Sequence, residues 1–394
     1  MSRRASAGHG VYGVKLFDFG RPEGHYLVPE WQACIDPDVI DCTPMYTNKT
    51  VAVFVLDVRT NKDPWQKGNQ EYFHKDNMGD FLGESQWTWF EEAIANSKAA
   101  VNVVVNGLQV NSKIFPNPNI AENWGFFPSA QQRLFDTVLG SSVSAPILIS
   151  GDVHMTQIMR KDCRKKNDHF QRRPIMEFTT SGMTHSWGRI HTPYIEGERF
   201  SFQEHFHAWF NWFLMQTMHR MLPWNSLLMS SKERPEITHD GGIEGAKQGL
   251  QYSLERNFGE LEFDWDERTV TMRSIGEGAK SSPLLAARVS MDQLSGRWPM
   301  STSKPKHEDF QKAAANQHPM VKGEWVCLEY RGQVSMVREM MSYAIFSVYI
   351  ASMCSLPILL PAYFLVRLWR RRRRRFVDLK SVSSTPLLQK QISF

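Results

Sequence analysis

The sequence predicts an α/β fold. Short unbroken apolar runs rich in β-branched residues, amphipathic helical stretches between them, and polar segments at the ends of the runs carry this reading. Val51 to Val58 is the first run, continuous and β-branched like a strand buried on both faces, and it leads into Asp57-Val58-Arg59. Gln86 to Ala95 has helical spacing, with Trp87, Phe90 and Ile94 on one face. Ala100 to Val105 is the second strand and runs into Asn106-Gly107-Leu108-Gln109. Gln131 to Leu139 reads as a helix, Pro146 to Ser150 as the third strand, and Ile175 to Thr180 as the fourth. Alternation of this kind places functional groups at strand C-termini. Leu261 to Trp265 and Thr269 to Ser274 alternate as a hairpin, and Leu284 to Val289 reads as a further strand.

The most informative stretch is Ser150-Gly151-Asp152-Val153-His154. A buried strand stops, and an acid and an imidazole follow two residues apart. Both are metal-capable, and the glycine is expected to supply the tight turn that lets them face one pocket. An incidental histidine on a solvated turn is the plainer reading of the spacing.

The 394 residues suit one large or two ordinary domains. The net charge of +5 is concentrated in the unbroken run Arg370 to Arg375, with Arg367 just before it. The body of the chain therefore gives little support to a nucleic-acid partner. Five cysteines include no CxxC pair, which leaves a zinc ribbon or a thioredoxin-like site unsupported. Cys34 and Cys42 are near enough in sequence to pair in an oxidising compartment, or they stay as two thiols.

Residues 340–366 carry no charge. As a helix rising about 1.5 Å per residue they span roughly 40 Å, more than a bilayer core of roughly 30 Å. The arginine run that follows is expected to hold residues 367–394 in the cytosol. The lipid bilayer is thus an expected partner, with the main domain lumenal or extracellular. Asn48-Lys49-Thr50 is a glycosylation sequon that agrees with this orientation. Residues 1–10 read as disordered, and 297–339 as a polar linker to the membrane helix. Phe202 to Leu222 is dense in aromatics and reads as a packed core helix or one lying on a bilayer; His205 and His207 would diverge on it.

Leu56-Asp57-Val58-Arg59, Phe81 to Trp89, Ser150 to His154, Thr180 to Trp187 and Asn257 to Trp265 together resemble the PhoD-like metallophosphatase family, within the calcineurin-like metallophosphoesterases. The resemblance spans roughly residues 11–296. It implies a sandwich of two mixed β-sheets flanked by helices, with metals where loops leave the strand ends. It implies that Asp152 and His154 are metal ligands, with iron and calcium as the family's metals. It further implies a phosphate-ester substrate attacked by a metal-activated hydroxide. Arg59 is then a phosphate contact, a guanidinium being suited to bidentate grip, or else a buried partner of Asp57. His185 protonates the leaving oxygen or orients substrate, or it shapes its loop. Gln109 occupies a place where related enzymes turn a residue to the metal.

The family's first metal-bearing strand and its acidic segment have no counterpart before Val51. The N-terminus is basic without a following apolar stretch. The expectation is a domain lacking its N-terminal portion, in which Asp152 and His154 form an incomplete ligand set. Two functions follow: a membrane-anchored metal-dependent phosphoesterase, or a truncated, inactive, membrane-tethered binding module.

Overall fold

Four apolar runs lie side by side as parallel neighbours at the centre of a mixed sheet. The computed structural model describes residues 10–20, 48–64, 79–111, 122–140, 142–184, 186, 252–253, 255–276, 283–297, 307–315, 317, 321–328, 341, 344, 347–348, 351 and 361–372. Two compact units divide the chain, Met1–Gln333 and Val334–Phe394.

In the first unit the order is β1 (Gly13–Asp18), β2 (Thr50–Val55), α1 (Glu84–Asn96), β3 (Val101–Val105), a 3-10 turn (Trp124–Phe126), α2 (Pro128–Val138) and β4 (Pro146–Ser150). There follow β5 (Thr156–Lys165), β6 (Asp168–Thr180), β7 (Tyr252–Ser253), β8 (Asn257–Asp264), β9 (Thr269–Gly276) and β10 (Leu285–Ser290). The last elements are α3 (Met291–Leu294), α4 (His307–Ala315) and β11 (Trp325–Cys327). The large sheet runs β1-β2-β3-β4-β6-β5-β11, with β7 beside β5. Strands β2, β3, β4 and β6 pair in parallel, so their C-terminal ends share one edge. Strands β8, β9 and β10 form a separate antiparallel sheet.

Residue alternation builds three layers. Ala52, Phe54, Val104, Leu148 and Ile175 join Trp87, Phe90 and Ile94 of α1 and Leu134 and Val138 of α2 in one core. Val51, Val103, Ile147, Met176 and Phe178 meet Val270, Met272, Leu285 and Val289 of the small sheet in another. The expected sandwich flanked by helices is therefore observed in part, because only the large sheet is mixed. Pro128 opens α2, where its missing N–H costs no helical bond and its φ is already set.

Strand β2 ends three residues before Val58, so Asp57 and Arg59 belong to the loop. Residues 297–339, expected as a linker, instead carry α4 and β11. Phe310 of α4 is fully buried against Val326 and Leu328. Cys163 and Cys327 are register partners on β5 and β11 and form a disulfide. The flanking bond from Leu328 N–H to the Asp162 carbonyl, at 2.9 Å, makes theirs a non-hydrogen-bonded pair, in which side chains approach closely. Cys34 and Cys42 lie outside the described residues, as do 202–222.

In the second unit, residues 341, 344, 347–348, 351 and 361–372 are helical. Among the described residues no helix is long and apolar enough to cross a membrane. Most of 340–366 lies outside them.

Candidate functional site

Loops leave the ends of β2, β3, β4 and β6 on the same edge of the sheet. Ser150 is buried as the last residue of β4, and the chain then surfaces at Asp152 and His154. Both residues adopt left-handed backbone, φ 71° and 51°, whereas Gly151 does not. The turn expected of the glycine falls on the two functional candidates themselves. A non-glycine residue in this region costs on the order of 1 kcal/mol and persists only where neighbours enforce it. Here the Val153 N–H bonds the Gly151 carbonyl at 2.9 Å, and the His154 N–H donates to Ser181 Oγ at 3.1 Å. The loop after β4 is thus pinned to the loop after β6. That second loop passes Gly182, where a side chain would collide with the amide of Asn257, the first residue of β8.

Arg59 joins the predicted residues. Its Nη2 donates to Asp152 Oδ1 at 3.2 Å, and its Nη1 donates to Glu122. Lys62 Nζ lies 3.2 Å from the other Glu122 oxygen. Glu122 and Lys62 were missed by sequence reasoning, because no local spacing links them to the motifs. The Arg59 guanidinium does not pair with Asp57, which was one of its two expected roles. Asp57 instead accepts the N–H groups of Val11 (2.7 Å), Arg59 (2.9 Å) and Thr60 (3.0 Å), and the Thr60 hydroxyl at 2.6 Å. Partial burial pushes its carboxyl up, but these donors outweigh it and bring the pKa down to about 2. Asp57 therefore organises the turn that presents Arg59.

Burial raises the Asp152 carboxyl above its ordinary range, and Glu122 adds to the rise, while Arg59 and His154 pull it down. The rim sets two carboxylates against Arg59 and Lys62, with the Arg59 side chain more than half exposed.

Beneath the rim lies a buried polar layer. Gln109 Nε2 donates to Gln157 Oε1 at 3.1 Å and to Thr179 Oγ1 at 3.0 Å. The Ser150 and Thr179 hydroxyls are 2.8 Å apart. Glu177, fully buried on β6, accepts the Val110 and Asn111 N–H groups at 2.8 and 2.6 Å. Burial raises its carboxyl, against the bonds from Ser150, Val110 and Asn111. This layer fixes the loop after β3. The Gln109 amide nitrogen is turned into this layer.

His185 lies outside the described residues. Among the described residues no three His, Cys, Asp or Glu side chains gather closely enough to hold a metal ion. Asp152 and His154 alone fall short of the roughly four donors a divalent cation takes, and Asp152 already faces a guanidinium. The described donor set does not fit the iron and calcium implied by the resemblance.

The chain is so far an α/β domain with Arg59, Lys62, Glu122 and Asp152 clustered in the loops at the ends of parallel strands. Residues 47–209 match the family model described as PhoD-like phosphatase, which bears out the resemblance over that span. Four of the five motifs fall within the match, and Asn257 to Trp265 lies beyond it. No curated protein matches the chain. A solved structure described as "Structure of PhoD" is similar at 13% identity and a TM-score of 0.34, covering 57% of this chain. The chain spans about a third of that protein, 35% of its length.

Proposed function

We propose that this chain is the phosphate-binding part of a membrane-anchored phosphoesterase, with the strand-end rim as its site. The observation that carries the reading is the Arg59 fork, held between Glu122 and Asp152 at the common edge of four parallel strands. A phosphate ester can offer two oxygens to one guanidinium fork, with comparable or greater charge. Phosphate entering at Arg59 displaces the Asp152 carboxylate and leaves Lys62 and Arg59 to share the added negative charge. Asp152 and His154 are assigned to the rim where the family's metal chemistry takes place, and His185 to proton delivery or substrate orientation. A metal shared by Asp152 and His154 requires donors beyond the described set, so metal dependence is part of the proposal.

Membrane anchoring through 340–366 and a lumenal or extracellular domain complete the reading. The Cys163–Cys327 disulfide supports an oxidising compartment, and Asn48 of the sequon is exposed.

The inactive binding module is the second reading. It is favoured by the absence of three clustered metal-capable side chains among the described residues. The deciding experiment incubates the full 394-residue chain with p-nitrophenyl phosphate and bis-p-nitrophenyl phosphate, with and without added iron and calcium. Metal-dependent release of p-nitrophenolate is expected. Phosphate binding by calorimetry without turnover would establish the module, and the lack of both would remove the two readings together.

A further inference from the structure

The β5–β6 hairpin carries a feature that the phosphoesterase reading leaves unused. Residues 160–173 hold seven Lys and Arg, of which Arg160, Lys161, Arg164 and Arg173 are buried while Lys165, Lys166 and Arg172 reach the surface. At the hairpin end the ladder pairs Arg164 with Arg172 and then Lys165 with Asp168. His169, Phe170 and Gln171 thus have no counterpart on β5, and they bulge from the sheet. The Phe170 N–H bonds Asp168 Oδ1 at 3.0 Å, which sets the turn, and the ring is 97% exposed. No other large apolar side chain among the described residues is as open.

Basic residues flank Phe170 along the hairpin. Arg164 and Arg172 face each other across the hairpin, an arrangement that disfavours itself by like-charge repulsion. Their guanidinium carbons lie over the Phe310 ring at 4.9 and 5.5 Å, and Arg164 Nη1 approaches His307 Nδ1 at 2.5 Å. Arg164 Nε is buried and meets no acceptor. Lys165 is offset by Glu324 at 3.2 Å, and Lys166 lies beside it at the turn. The ladder on one side and the Cys163–Cys327 disulfide on the other brace the hairpin, so the projection is a property of the fold.

We propose that this hairpin docks on an anionic lipid surface, with Phe170 entering the interface and Lys166 at the turn facing lipid phosphates. An exposed aromatic on a hairpin with surface lysines supplies the two components of an interfacial anchor, an apolar wedge and an anionic-headgroup contact. On the membrane anchoring proposed above, only a short length of chain joins this unit to the anchor. Residues 329–339 separate β11, which is clamped to β5, from the uncharged run at 340, a stretch of at most roughly 40 Å. The inference rests on the membrane anchoring of the proposed function and not on its rim, none of whose residues takes part.

The test is hydrogen–deuterium exchange of the full chain in nanodiscs of phosphatidylcholine alone or with phosphatidylglycerol. Amides 169–171 lack ladder partners and report directly on cover. Exchange there is expected to slow roughly fivefold in the anionic discs, and the combined F170S and K166E substitutions should remove the difference. Should that variant fail to fold, the comparison of the two lipids on the unaltered chain is sufficient. Equal exchange in both lipids would overturn the proposal. Equal protection in detergent would also overturn it, in favour of cover by protein.

Discussion

Arg59 Nη2 donates to Asp152 Oδ1 at 3.2 Å, although 93 residues separate the two in sequence. The bond links the loop after β2 to the loop after β4 and draws two motifs of the resemblance into one rim. Its guanidinium is more than half exposed, so the pair contributes little to stability, about 0–1 kcal/mol.

R59A is therefore expected to leave the unfolding transition almost unmoved while weakening the site. If the proposed turnover is found, kcat/KM for p-nitrophenyl phosphate should fall by roughly 10²-fold or more, with lysine restoring only part because its ammonium lacks the fork. Steady-state kinetics beside a urea titration checks both halves. An unchanged kcat/KM would remove Arg59 from the site.

Asp57 makes the acid limb of stability predictable. Its carboxyl is held at about 2 against an ordinary 3.8, so the native state favours the ionised form. The stabilisation is complete above pH 4 and is lost as pH falls toward 2. With allowance for solvent screening it amounts to on the order of 1 kcal/mol. D57N should flatten the dependence of urea midpoints on pH between about 4 and 2, and an equally steep slope in the variant would contradict the assignment.

Glu177 acts with the opposite sign. Burial raises its carboxyl, so the native state holds its proton to higher pH than the unfolded chain does. Stability should decline as pH rises from the ordinary Glu value through the raised one. E177A leaves the Val110 and Asn111 N–H groups without their acceptor, at a cost of about 2–4 kcal/mol. Chemical denaturation of E177A and E177Q across pH measures both effects, and a neutral E177A would contradict them.

Arg173 is the second buried keystone. Its guanidinium donates to the carbonyls of Leu139, Gly140, Val143 and Leu294, closing the end of α2 against α3. Burial lowers its pKa to about 10, with Arg297 adding to the fall. R173M should destabilise the domain by about 3 kcal/mol or more, since several buried carbonyls lose their donor together. A urea midpoint equal to that of the unaltered chain would refute it.

The Cys163–Cys327 disulfide closes a long loop, its ends 164 positions apart in sequence. Reduction or C163S is expected to cost about 3–5 kcal/mol. Denaturant unfolding with and without reductant, alongside mass mapping of the bridged peptides, checks this. Free thiols at both positions in the native protein would count against the bridge.

The parallel strands were legible because β2, β3 and β4 are buried on both faces and so read as continuous apolar runs. Strand β5 was not, since Thr156 to Lys165 alternates among polar and charged residues that tertiary structure buries. Arg160 and Asp162, for example, pair at 2.9 Å inside the domain. Helix α4 resembled a linker because only Phe310 on it is buried. Asp152, His154 and Arg59 could be singled out from strand ends and resemblance. Glu122 could not, because what places it at the rim is a fold contact with a residue 63 positions away. The bridge between Cys163 and Cys327 was hidden for the same reason, as their neighbourhood exists only once β11 pairs with β5.

Strand β11 is only three residues long, yet the chain beyond it continues toward the second unit. Any pull arriving from downstream of Cys327 meets a covalent link to β5 before it can peel those few backbone bonds apart. The first unit is thereby harnessed at an interior strand, and a load on the chain past Cys327 is carried by a bond that thermal fraying cannot loosen.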